Sequence, residues 1–159
     1  MLKAIMLGTA VAVIGCGAAS AAPEVPVFDG VVKLTQLNQP CIDDGWVVGT
    51  EFRLIYRSVV RPSNNAPGGL QFMEQRIAFN FLQPPNKPLP GGTVKGTFAA
   101  TGLSGQVGVY QFPSPFALTI TPTKIKANTA VVTIQGTLGN FSGVEGCTIT
   151  VFGIATPRL

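Results

Sequence analysis

The sequence predicts an all-β protein, a single eight-stranded antiparallel β-barrel, with a two-sheet β-sandwich as the alternative. Three observations carry this. The chain's 19 Gly and 13 Pro are scattered between apolar runs, which suits short strands joined by turns better than long helices. Eight stretches rich in β-branched and aromatic residues lie between those turn signals, at 31–37, 47–59, 70–82, 93–100, 106–112, 116–121, 130–138 and 147–155. No amphipathic helix longer than a turn or two separates them. Eight strands in one domain of this size must close on themselves or stack as two sheets, and a final hairpin returning to the start favours closure.

The chain begins with an export signal. Lys3 supplies a positive start, residues 4–15 are apolar and uncharged, and Ala19-Ser20-Ala21 is an A-x-A cleavage site. Residues 1–21 therefore read as a signal peptide, 22–30 as an N-terminal extension and 31–157 as the barrel domain. The apolar stretch is shorter than the ~20 residues a helical anchor needs, so no transmembrane segment is expected. A rival reading occupies the same segment. Val13-Ile14-Gly15-Cys16 resembles a bacterial lipobox, in which Cys16 becomes the lipidated first residue. The expected location is secreted or periplasmic in the first case and lipid-anchored to the envelope in the second.

Either route removes or caps Cys16 and leaves Cys41 and Cys147. Two thiols in an exported chain point to a disulfide, with two separate buried thiols as the alternative. A bridge would close a loop of about 107 residues and remove conformational entropy from the unfolded chain.

The stretches at 47–59 and 70–82 alternate with a period of two. Phe52, Leu54 and Tyr56 interleave with Glu51, Arg53 and Arg57, and Gln75, Ile77, Phe79 and Phe81 interleave with Glu74, Arg76 and Asn80. Between them, residues 62–69 (PSNNAPGG) form a turn cluster. A register pairing Phe52 with Phe79, Leu54 with Ile77, Tyr56 with Gln75 and Arg57 with Glu74 places rings inside and an ion pair outside. Gln75 is then the one amide on an apolar face. It either hydrogen-bonds Tyr56 in a filled core or, with Tyr56, Phe52 and Phe79, forms the polar handle of an apolar ligand site.

Residues 83–92 (QPPNKPLPGG) cannot be a central strand, because proline lacks the N–H that a ladder requires, and read as an extended loop. The stretch 102–108 (GLSGQVG) lacks the Lys-Ser/Thr ending and the following helix of a phosphate loop, and reads as a β-turn or bulge.

Near the C-terminus, Gly136, Gly139, Phe141, Gly143 and Gly146 form the pattern G-x-x-G-x-[FY]-x-G-x-x-G between two strands. This turn resembles the last hairpin of allene oxide cyclase-like and dirigent-like β-barrels. The resemblance covers about the last 30 residues and implies an eight-stranded antiparallel barrel with an apolar cavity. It carries over no catalytic residues, because those families' acids have no matched positions here. Read physically, the glycines supply positive φ and Phe141 can plug a barrel end.

Other chemistry is sparse. There is no histidine, which removes histidine triads, histidine-ligated metals and histidine pH switches. Asp43-Asp44 is the one tight acidic pair, and nothing nearby supplies the six or more oxygens that calcium takes, so it reads as a solvated turn and no metal or cofactor is expected. Asp29, Glu51, Glu74 and Glu145 show no spacing that marks a glycosidase pair. The net charge is +4, but the basic residues are scattered and not interleaved with aromatics, so no nucleic-acid partner is expected. Arg53, Arg57, Arg61 and Arg76 form a basic stripe on one hairpin, diluted by Glu51 and Glu74. Asn140-Phe141-Ser142 is a formal glycosylation sequon. The function expected is a non-catalytic exported barrel that binds a small apolar ligand or an envelope partner. The alternatives are a cyclase- or isomerase-like enzyme with an apolar cavity, and a structural or interaction module.

Overall fold

The computed structural model describes residues 26–57, 69–74, 77–82, 91–102, 107–108 and 114–158. Alternation of apolar and polar side chains governs nearly all of it. The strands are β1 (Phe28–Leu37), β2 (Glu51–Tyr56), β3 (Leu70–Met73), β4 (Ile77–Leu82), β5 (Gly92–Gly102), β6 (Val107–Gly108), β7 (Ser114–Thr121), β8 (Val132–Gly139) and β9 (Thr148–Pro157). Among the described residues the one α-helix, α1 (Gln39–Asp43), is five residues long. A 3-10 turn follows at Phe141–Gly143.

The strands form a closed antiparallel barrel. Around the ring they run β4, β3, β2, β1, β9, β8, β7 and β5, and β5 pairs back onto β4. Two-residue β6 lies on the β7 side of β5, where Thr101 pairs with Val107 while Gly92 to Phe98 pair with β7. The wall therefore has eight staves, as the sequence predicts, and the sandwich alternative is set aside. Inward positions are apolar and buried, including Phe28, Val32 and Leu34 on β1, and Ile149, Val151 and Ala155 on β9. Outward positions on β8 and β9 carry Thr133, Gln135, Thr137, Thr148, Thr150 and Thr156 together with exposed Phe152 and Ile154. Among the described residues no helix is long and apolar enough to cross a membrane.

The ring closes where the first strand meets the last. β1 and β9 pair from Phe28↔Pro157 to Leu37↔Ile149, with a bulge between Leu34 and Gln36. Just past β1, the Asn38 amide donates to the Gly146 carbonyl at 2.8 Å and accepts from the Thr148 N–H at 2.9 Å. The Cys41–Cys147 disulfide then joins α1 to the start of β9, with a Cα–Cα distance of 4.7 Å. The pairing expected from the cysteine count is present.

Gly136 shows why one strand position on β8 must be glycine. Its φ is +152°, and a Cβ there would sit 2.1 Å from the Ala117 carbonyl oxygen of β7. Any side chain would force β7 and β8 apart.

The structure corrects several local expectations. Residues 70–82 are not one long strand but two, β3 and β4, joined by a tight hairpin in which Glu74 and Ile77 exchange backbone hydrogen bonds of 2.9 and 3.3 Å. Parity explains the split. The buried residues of β3 are Leu70 and Phe72, and the buried rings of β4 are Phe79 and Phe81. A change from even to odd positions cannot occur within one regular strand. The partner of Tyr56 is accordingly Leu70 rather than Gln75, and Leu54 pairs with Phe72 rather than Ile77. Phe52 and Phe79 are not strand partners either, since Phe79 pairs with Phe72. Arg57 and Glu74 stand at opposite ends of β3. Residues 47–50 form a turn ahead of β2, β1 begins at Phe28 within the expected extension, and of the stretch 106–112 only Val107–Gly108 is described as strand. Residues 1–25, most of the 62–69 turn cluster, and residues 83–90 lie outside the described residues.

The Cys41→Ser/Cys147→Ser double variant is expected to lose about 4–5 kcal/mol of unfolding free energy, the loop-entropy value for a bridge between residues 106 apart. Urea denaturation of wild type and variant under oxidising conditions measures it.

Candidate functional site

The interior is where the sequence placed a ligand site, and rings from several staves converge there. β2 contributes Phe52, β4 contributes Phe79 and Phe81, β5 contributes Phe98 and β7 contributes Phe116, all inward by strand alternation and all buried. Phe52 and Phe79 meet edge to face with centroids 5.7 Å apart. They touch across the interior rather than along a ladder. Phe81 stacks on Phe98 at 5.4 Å and meets Phe116 edge-on at 5.3 Å.

Phe141 caps this cluster from the β8–β9 connection. It stacks on Phe79 at 4.7 Å and lies edge to face with Trp46 at 4.9 Å and Phe52 at 6.2 Å. The loop is shaped to aim it inward. Asn140 and Ser142 have φ of 48° and 58°, and Gly143 and Gly146 have φ of 78° and 75°. The Asn140 side-chain oxygen accepts from the Gly146 N–H at 2.9 Å, and the Phe141 N–H donates to the Cys147 carbonyl at 3.1 Å. Phe141 therefore plugs one end of the barrel beside the disulfide. Asn140, the first residue of the sequon, is a structural member of that plug.

Of the expected ligand-site residues, the structure brings together only Phe52 and Phe79. Tyr56 is fully buried at the far end of β2, with its ring 6.0 Å from that of Phe28. Burial pushes its phenol pKa up, so the hydroxyl stays protonated at neutral pH and does not serve as a phenolate base. Gln75 lies outside the described residues, and the ladder partner of Tyr56 is Leu70. Among the described residues the one buried polar side chain apart from Tyr56 is Ser114, whose hydroxyl donates to the Asn140 carbonyl at 3.3 Å.

On the outer face of β1 and β2 the charged residues are paired. Arg53 holds Asp29 with two parallel hydrogen bonds, one of them Nε to Oδ1 at 3.0 Å, and Lys33 meets Glu51 at 2.6 Å across the β1–β2 ladder. The Arg53 hydrogen bonds hold the Asp29 carboxyl below the usual carboxylate range, against a smaller opposing effect of burial and with help from the charges of Arg53 and Arg158. The basic stripe expected on one hairpin is thus interrupted at Arg53, while Arg61 and Arg76 lie outside the described residues. An open groove of about 450 Å³ runs along this wall, lined by Glu51, Arg53, Met73 and Glu74. Asp43 accepts from the Gln39 amide at 2.7 Å and Asp44 from the Trp46 indole at 3.1 Å. The acidic pair works as the turn chemistry of α1. No group of three or more His, Cys, Asp or Glu side chains suited to a metal occurs among the described residues.

Against known protein families, curated proteins and solved structures, the chain finds no match.

Sequence reasoning identified Phe141 as a plug but missed Asn38 and Trp46, which complete that end. The signal for Asn38 was a polar residue just past the strand, which gains meaning only once the first and last strands are known to pair.

Phe141→Ala removes a ring with four aromatic neighbours and is expected to cost about 3–5 kcal/mol, measured by urea denaturation. For Asp29, whose folded pKa is depressed, the stabilisation is present above the unfolded value near 3.9 and is lost as pH falls through the lower folded value. Thermal melts across pH should therefore show wild type above Asp29→Asn at neutral pH, with the gap closing in acid.

Proposed function

We propose that this chain is an exported, non-catalytic barrel that works at the cell envelope through its surface rather than its interior. One observation carries the reading: Phe141 is seated among Trp46, Phe52, Phe79 and Phe98, so the interior volume at that end is occupied by the protein's own rings. No carboxylate or cation is buried among the described residues, and acid–base catalysis in a cavity depends on such groups. Export is supported by the leader-like residues 1–21 and by the disulfide, which belongs to oxidising compartments.

The cyclase- or isomerase-like alternative rests on the resemblance of residues 136–146 to allene oxide cyclase-like and dirigent-like hairpins. In this chain the same residues serve to seat the plug, which favours the binding module. A small apolar ligand would have to displace that plug.

Two measurements on the chain expressed with its leader test the proposal. Mass spectrometry should find either a start at Ala22 or a diacylglyceryl-modified Cys16. A chain retained with its first residues intact overturns export. Titration with an environment-sensitive apolar dye should show no saturable binding to the folded protein. Stoichiometric binding, lost in a Phe52→Ala variant that still folds, overturns the filled-interior reading.

A further inference from the structure

The barrel is a meander, so successive connections alternate between its two ends, and the charges sort with them. At the end where β2, β4 and β7 finish, the described residues carry Arg57, Lys124, Lys126 and Arg158. The one carboxylate there, Asp29, is neutralised by Arg53. At the opposite end, where α1 and the Phe141 plug sit, are Asp43, Asp44, Glu74 and Glu145, all exposed. Between them, Lys33 is paired with Glu51, and Lys95 stands exposed on the β5 wall. In the sequence outside the described residues, Glu24, Arg61 and Lys87 adjoin strand ends at the first end, and Arg76 adjoins the second.

The basic end is firmly built. Ile125 packs against the core between Lys124 and Lys126, which are themselves exposed. The turn is held by Thr129, whose hydroxyl accepts from the Lys126 N–H at 2.8 Å and whose N–H donates to the Lys126 carbonyl at 3.0 Å. Exposed Val131 lies just beyond. Arg158 is fixed by its N–H, which donates to the Val27 carbonyl at 2.7 Å. That last bond also locates the N-terminal segment: the chain enters the barrel at Phe28 on this same basic end. Cys16, the residue a lipid would modify, precedes the described chain by ten residues.

We infer that the basic end is a docking surface for an anionic lipid bilayer, on which the barrel stands with its acidic, disulfide-closed end pointing away. Charge complementarity supplies the attraction, since basic side chains near an anionic leaflet each strengthen binding. The N-terminal segment emerges on the membrane side, so a tether and the basic surface act together instead of opposing each other. This inference rests on the envelope reading above, and its test has a separate readout.

The test uses the exported, oxidised protein in sedimentation with phosphatidylcholine vesicles and with vesicles containing phosphatidylglycerol. Two variants lower the net charge equally: Lys124→Gln/Lys126→Gln at the basic end and Lys95→Glu on the wall. Binding should require phosphatidylglycerol and weaken as salt shortens the Debye length below the ~10 Å of 0.1 M solution. The paired glutamines should weaken it roughly 25-fold, at about fivefold per side chain, while Lys95→Glu stays within about twofold. Circular dichroism melts confirm that both variants fold. Equal losses in the two variants would reduce the effect to net charge and overturn the inference. It is also overturned by the absence of phosphatidylglycerol-dependent binding, or by binding to soluble dextran sulfate but not to vesicles. Each of those results can occur with a normally exported N-terminus, so the docking surface can fail while the envelope reading stands.

Discussion

The pairing of β1 with β9 is the constraint on which the rest of the structure depends. Every other ladder joins strands that are near neighbours in sequence, so each can form from a local hairpin. Closing the ring requires the first strand to find the last, at the full length of the domain, and such non-local pairing has the largest loop-closure cost. The junction is secured in three ways. The ladder itself is long, the Asn38 amide binds both the Gly146 carbonyl and the Thr148 N–H, and the Cys41–Cys147 bond fixes the same two segments covalently. These contacts cluster at one end of the seam, where a strand pair would otherwise fray.

A closed barrel has a fixed interior, and its filling depends on complementary side-chain sizes. Rings enter from β1, β2, β3, β4, β5 and β7, while the inward positions of β8 and β9 are built from aliphatic residues and glycine. Gly153 points inward on β9, where an added Cβ would stand 3.0 Å from the Val32 side chain and 3.1 Å from that of Leu54. Phe141 then occupies the volume left at the end. The two positive-φ non-glycine residues beside it, Asn140 and Ser142, place backbone strain where it aims a ring into the core.

Much of this was legible in the sequence because it depends on alternation and counting. Phe52, Leu54 and Tyr56 are inward as the period of two requires, and two cysteines remaining after Cys16 pointed to the disulfide; the count of eight staves agrees although the 70–82 run supplies two of them and β6, from the 106–112 run, stands outside the ring. The β3–β4 hairpin was missed for a specific reason. Gln75, Ile77, Phe79 and Phe81 share one parity and read as one face, while Leu70 and Phe72 have the other parity. Including them exposes the reversal at 74–77. With the reversal in place, the ladder partner of Tyr56 is Leu70. Asn38 and Trp46 were illegible for a different reason, since their roles exist only after the ring has closed.

The same meander gives charge patterning in the sequence a spatial meaning. Connections following β1, β3, β5 and β8 reach the plugged end and those following β2, β4 and β7 reach the other, so a residue's place in the linear order determines which end displays it. Acids at 43–44, 74 and 145 and bases at 57, 124, 126 and 158 look scattered along the chain, and that scatter argues against a nucleic-acid partner. Folded, they become two opposed ends of one barrel. Because the wall's ion pairs Asp29–Arg53 and Lys33–Glu51 are internally neutral, that end-to-end polarity is what remains to orient the molecule in an external field. The described chain enters the barrel at this same end, where the Arg158 N–H donates to the Val27 carbonyl just ahead of β1, so the point of entry and the basic side chains share one end of the ring.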